Sequence, residues 1–276
     1  MSAPVFELDT FDLIACEGVD AKSFLQSLLS NDVELLAGVG SWQWTALLSP
    51  QGRVQALMQL IRSDADAYLL AVPHRRGAAI IDQLRRFVLR RKISLRIDSE
   101  RYLLGSNAGA PAPAGTLPLQ PEFADGRRCF LAAASGDHLP ADSNWTRQDF
   151  IGRIPWLPAA AADRHLAQAL GLDVLGAISM KKGCYPGQEI VARTHYLGRS
   201  KRHLVLLESD GNQPEVVAGS QVRDGENQLA GELIDVLACE AGILLLAVVS
   251  DERLGVDLAA VLTDSRRIPL RLVKVA

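Results

Sequence analysis

From Arg202 to the C-terminus the chain is a succession of short β-type runs, and this pattern narrows the possible folds more than any other feature. Val205–Leu207, Gln221–Val222, Leu229–Val236 and Ile243–Val249 alternate with turns rich in Gly, Asp and Asn, and the closing "IPLRLVKV" alternates apolar and polar residues. Residues 199–276 therefore read as a separate small β domain, with a barrel as one form open to it.

Residues 1–198 mix helical and strand periods. "VDAKSFLQSLLSND" predicts a helix with Asp20 as N-cap and Phe24, Leu25, Leu28 and Leu29 on one face, stopped by Ser30-Asn31-Asp32. Trp42–Leu48 and Val54–Ile61 flank "SPQG", which predicts a hairpin, and "AYLLAVP" adds a strand. An amphipathic helix follows with Ile80, Ile81, Leu84, Phe87 and Val88 turned inward, then a strand in which Ile93, Leu95 and Ile97 alternate with polar residues. A further helix is expected near Ala159–Leu170. This order of elements predicts an α+β region with helices on one face of a sheet, in two subdomains, with a Pro/Ala-rich loop near 106–127.

With 48% hydrophobic and 22% charged residues among 276, the chain has the balance of a soluble globular protein. A net charge of −3 excludes general nucleic-acid binding by bulk electrostatics and is compatible with a monomer. "MSAPVFELDTFDLIAC" has no basic segment ahead of an apolar run, and "AGILLLAVVS" is about half the ~20 residues of a membrane span. A cytoplasmic protein without membrane association is expected.

Cys16, Cys129, Cys184 and Cys239 form no C-x-x-C pair, and the histidines show no metal spacing, so neither a metal site nor a disulfide framework is indicated. Three of the cysteines stand in apolar surroundings and read as packed thiols. Cys184 does not. It lies in "MKKGCYPGQEIVAR", behind Lys181 and Lys182 and ahead of a Pro-Gly break. Pro186 suits the first position of a helix, whose positive end would then follow the thiol, with Glu189 in the first turn and Arg193 four residues on to pair with it. Helix N-termini and neighbouring cations lower a cysteine pKa from ~8.5 to roughly 3.5–7.5. Gly183 and Gly187 leave room for a ligand to approach the backbone. Two readings stand side by side: an activated, accessible thiol, and a buried structural cysteine in a Gly-rich turn.

Lys182, Gly183, Cys184, Tyr185, Gly187, Gln188, Glu189 and Arg193 match, position by position, the signature of the YgfZ/GcvT-like folate-binding family, which this chain resembles. "GLDVLGAISMKK", "THYLGRSKR", "FLQSLLSNDV", "SPQGRV" and "LRRFVLRRKI" are similar as well, so the resemblance spans most of residues 20–205. It implies a GcvT-like fold, with antiparallel sheets and helices around a central cavity and a C-terminal β-barrel, and tetrahydrofolate or a one-carbon derivative as cofactor. For the YgfZ-like branch it implies an accessory role in assembly or repair of iron–sulfur enzymes, tRNA-modifying radical enzymes included, with Cys184 and Lys182 at the reactive centre and client proteins as transient partners. Asn31, Asp32, Gln51, Arg53 and Glu189 are the folate contacts it suggests; helix termination accounts equally for Asn31 and Asp32, and a surface turn for Arg53. The T-proteins of the glycine cleavage system carry an Asp pair in the first hairpin, where this chain has Ala56 and Leu57. A folate-dependent one-carbon transferase is thus the alternative with less support, and a classical enzyme is not expected.

The basic run from Arg75 to Arg96, opposed only by Asp82, reads as a solvated face, a dock for the anionic folate tail, or a contact for RNA or a client. With Phe87 placed on the apolar face, no aromatic interleaves with the charges, and stable nucleic-acid binding is not expected. His195 is either a base for Cys184 or a surface histidine.

Overall fold

The computed structural model describes residues 5–273 apart from 74, 108, 135–142, 199, 212 and 263–264. The chain divides into two compact units, one of Met1–Leu47, Ala56–Trp145 and Gly176–Tyr185, the other of Leu48–Gln55, Thr146–Leu175 and Pro186–Ala276.

The first unit runs β1 (Val5–Glu7), β2 (Asp12–Glu17), α1 (Ala21–Leu28), β3 (Trp42–Leu48), β4 (Val54–Asp64), β5 (Ala67–Val72), α2 (Gly77–Arg85), β6 (Ser94–Ile97), β7 (Arg101–Ser106), β8 (Leu117–Pro118) and β9 (Arg128–Ala133). These strands form a five-stranded sheet in the order β3-β4-β5-β2-β6 and a four-stranded sheet β1-β7-β9-β8. Ile14 and Cys16, Met58 and Leu60, and Tyr68 and Leu70 recur every second residue, so they share one sheet face. Phe24, Leu25, Leu28 and Leu29 of the α1 region and Ile80, Ile81 and Leu84 of α2 are buried in one cluster with them. Both helices therefore cover the same face, as the element order predicts.

Three local expectations change. Asp20 precedes α1, but its side chain caps nothing there; its Oδ2 accepts the Lys92 N–H at 2.7 Å. Phe87 is 45% exposed and Ile97 42%. Because α2 ends at Arg85, the helical period no longer directs Phe87 inward. Ile97 ends β6, an edge strand.

The second unit carries α3 (Ser143–Ile151) from Thr146 onward, α4 (Gln188–Leu197), and β10 (Arg202–Asp210), β11 (Gln221–Asp224), β12 (Leu229–Cys239), β13 (Gly242–Ser250), β14 (Leu258–Val261) and β15 (Arg267–Leu272). The six strands close into the expected barrel, ordered β10-β13-β12-β11-β14-β15. Leu207, Val222, Leu233, Leu245, Ala247 and Ala260 pack in its core. The helix expected near Ala159–Leu170 is instead one 3-10 turn, Ala159–Ala161. Beyond it the backbone pairs with the end of the β3–β4 turn: Asp163 N–H donates to the Val54 carbonyl at 2.8 Å and Val54 N–H to the His165 carbonyl at 2.9 Å. These groups cannot also close a helix. Among the described residues no helix is long and apolar enough to cross a membrane.

Candidate functional site

In the first unit the segment leading to Cys184 is fixed by the residues that stop α1. Ser30 Oγ donates to the Ala177 carbonyl at 2.7 Å, and Asn31 Nδ2 donates to Gly176 at 2.9 Å and Trp44 at 2.8 Å. Ser179 N–H returns a bond to the Ser30 carbonyl at 2.9 Å. Lys182 completes the clasp. It is only 6% exposed, and its ammonium donates to the carbonyls of Gln26 (2.7 Å), Leu29 (2.6 Å) and Asn31 (2.9 Å). These carbonyls lie at and just beyond the end of α1, where a helix leaves acceptors unpaired and its dipole favours a cation. Burial lowers Lys182 from 10.5 to about 8, opposed by the charge of Asp32.

Tyr185 is the second anchor. It is buried, and its ring lies 5.3 Å from the Lys182 ammonium. Its Oη is buried with no hydrogen-bond partner among the described residues, and burial raises the phenol to about 12. Between the anchors Gly183 and Cys184 are exposed. The reading of Cys184 as a buried structural cysteine is therefore excluded. Cys16 is the contrast: it is fully buried, and burial, aided by Glu17, pushes its thiol up to about 12. Cys129 is buried too, while Cys239, expected to be packed, is only half-buried.

In the second unit α4 begins at Gln188, with Gly187 as its N-cap at φ +80°. Pro186 thus precedes the cap instead of opening the helix. The reason is the close approach that Gly187 makes to the hairpin turn. A Cβ there would lie 2.5 Å from the Ser49 carbonyl oxygen and 2.8 Å from Gly52 Cα, and one on Gly52 would lie 2.8 Å from Ile190 Cβ. Gln51 and Arg53 are exposed on that turn, and Arg53 Nη1 donates to the Arg164 carbonyl at 3.3 Å. Glu189 and Arg193 are both exposed, and among the described residues no ion pair joins them.

The structure thus gathers Asn31, Asp32, Lys182 and Tyr185 around the cysteine segment in one unit, and Gln51, Arg53 and Gly187 at the hairpin turn in the other. Asn31 is committed to the scaffold, since its Oδ1 also accepts Asp32 N–H at 2.9 Å. Asp32 uses Oδ1 for Gln26 Nε2 (2.9 Å) and Glu34 N–H (3.1 Å), leaving Oδ2 unpaired among the described residues. Ala56 and Leu57 are buried apolar residues of β4. His195 is exposed and meets the edge of Tyr196. Among the described residues no cluster of three or more His, Cys, Asp or Glu is arranged to hold a metal. One grouping had no signature in the sequence: Arg193 lines a cavity with Arg164, Lys201 and Arg202, from three separate stretches.

No family model matches the chain. An uncharacterized protein of Haemophilus influenzae is 29% identical over 223 residues, covering 78% of this chain and 76% of its own length. The tRNA-modifying protein YgfZ of Edwardsiella ictaluri is 28% identical over 302 residues, covering 95% and 89%. That of Shigella dysenteriae is 25% identical over 283 residues, covering 91% and 86%. Among solved structures, glycine cleavage system aminomethyltransferase T from Bartonella henselae superposes with a TM-score of 0.69 at 18% identity, over 99% of this chain and 85% of that one. The chain is thus a relative, across most of its length, of the proteins named tRNA-modifying protein YgfZ, with the GcvT-like fold of an aminomethyltransferase.

Proposed function

We propose that this protein is a folate-binding accessory factor for the assembly or repair of iron–sulfur enzymes, including enzymes that modify tRNA, and that Cys184 is its reactive thiol. One observation carries the reading: Lys182 and Tyr185 are buried on either side of an exposed Cys184. A segment anchored at both ends holds the thiol out at little entropic cost and leaves it accessible to a partner. The names of the relatives and the aminomethyltransferase fold support a folate-related role.

Tetrahydrofolate or a one-carbon derivative is the proposed cofactor. The residues fit such a ligand in type. Tyr185 Oη is buried without a partner, a state that costs about 1–3 kcal/mol unless something pairs with it. Asp32 keeps a carboxylate oxygen for a ring N–H. Gln51, Arg53 and Glu189, the other contacts that the resemblance suggests, are exposed. Bound folate would supply a carrier for one-carbon units; the chain supplies the thiol and its placement. Ala56 and Leu57 offer no carboxylate for aminomethyl transfer. The protein acts in this reading as a cytoplasmic monomer that meets its clients transiently.

The test is recovery of a 4Fe–4S enzyme inactivated by oxidation, incubated with the protein and tetrahydrofolate. Recovery that needs both folate and Cys184 supports the reading; equal recovery with Cys184→Ala contradicts it.

A further inference from the structure

The cavity that Arg193 lines has a volume of about 710 Å³, within the range of roughly 300–1,000 Å³ that small-molecule sites occupy. Leu166 and Ile190 give it apolar wall, and Arg164, Arg193, Lys201 and Arg202 bring four cations to it, with no carboxylate among its lining residues. Arg164 is neutralised from behind by Glu232, Nε to Oε1 at 2.5 Å. Among the described residues the side chains of Arg193, Lys201 and Arg202 have no such partner. Three uncompensated charges of one sign around a concavity focus a field that draws anions.

His165 lines the same cavity and is 7% exposed; its Nε2 makes no hydrogen bond among the described residues and lies 3.9 Å from Glu232 Oε2. Burial lowers its pKa, a shift that Glu232 opposes and Arg164, Arg202 and Arg53 reinforce. Gln168 Nε2 donates to the Val191 carbonyl at 2.8 Å, which ties the stretch after Leu166 to α4.

We infer that this cavity binds a phosphate-bearing organic molecule of nucleotide size. Its phosphate oxygens meet Arg193, Lys201 and Arg202, and its apolar body lies on Leu166 and Ile190. A phosphate is favoured over a lone carboxylate because it carries about −1.5 to −2 charges and three acceptor oxygens, which suit guanidinium forks. Of the proposed folate contacts Asp32 and Tyr185 belong to the other unit, while Gln51, Arg53 and Glu189 share this one, so the folate arm of the test separates the two sites.

Calorimetric titration with AMP, ATP and pyrophosphate, on the wild type and on the double variant Lys201→Glu/Arg202→Glu, tests it. Both side chains are exposed, and an unchanged unfolding temperature checks that the fold is kept. The expected result is nucleotide binding at least tenfold tighter than pyrophosphate, weakened at least tenfold by the double variant, with tetrahydrofolate affinity unmoved. Absence of nucleotide binding at millimolar concentration, or binding that charge reversal leaves unchanged, overturns it. So does parallel loss of folate affinity, which would make the cavity part of the folate site. A wild type that binds nucleotide and no folate sinks the folate reading alone.

Discussion

The ammonium of Lys182 reaches the carbonyl of Leu29, 153 positions earlier in the chain, across 2.6 Å. It binds the Gln26 and Asn31 carbonyls as well, so one side chain joins the end of α1 to the cysteine segment. Replacing it by methionine keeps the apolar stem and removes the donors. Each buried acceptor left unpaired costs about 1–3 kcal/mol, and relaxation recovers part of the sum. Lys182→Met is expected to lower the unfolding free energy by about 3 kcal/mol, read from urea midpoints at constant m-value.

The same residue sets a pH dependence. Burial holds Lys182 at about 8 in the folded protein, against 10.5 in the unfolded chain. Between those values the unfolded state binds more protons, so the stability contributed by Lys182 rises with pH, by at most about 1.4 kcal/mol per unit. Below pH 8 both states carry the proton and the contribution is flat at its lowest. The stability difference between wild type and Lys182→Met, measured from pH 7 to 10.5, must widen in favour of the wild type as pH rises. A constant difference contradicts the assignment.

Gly187 and Gly183 share one motif and differ in their tolerance of a side chain. Gly187 has φ +80° and a hairpin turn where its Cβ would be, whereas nothing lies within 4 Å of a Cβ on Gly183. Gly187→Ala is expected to cost at least about 2 kcal/mol through strain and the clash with Ser49. Gly183→Ala should change stability by no more than about 0.5 kcal/mol. Thermal unfolding of the two variants side by side checks the contrast.

The parts of the molecule that were legible in the sequence are those whose residues repeat at one period. Met58 and Leu60, or Phe24 and Leu28, announce a buried face because sheet and helix geometry bring neighbours in sequence to the same side. Trp145 and Phe150 of α3 are buried but stand five apart, so no apolar stripe betrays the helix. His165 and Leu166 sit in a segment of good helix formers, yet their backbone pairs with the hairpin, a choice made by residues a hundred positions away. Lys182 looked like a source of charge for the thiol; its contacts with Gln26, Leu29 and Asn31 have no local signature. The lysines and glycines around Cys184 left its exposure open between two readings, and the position of Pro186 was not legible because Gly187 had to remain free to turn.

Thiol accessibility follows from burial. Cys184 is exposed, Cys239 half-buried, and Cys16 and Cys129 buried. Alkylation by iodoacetamide, followed by peptide mass spectrometry, should label Cys184 first and Cys239 next. Cys16 and Cys129 should react only when the protein unfolds. Cys184→Ser should abolish the fast phase and shift stability by no more than about 0.5 kcal/mol.

The central claim is that this fold holds a folate and presents Cys184 without needing the thiol for binding. Equilibrium titration of tetrahydrofolate and its one-carbon derivatives into the wild type and Cys184→Ala tests it most directly. The account predicts comparable binding by both proteins, and weaker binding by Asp32→Asn; no measurable binding by the folded wild type would contradict it.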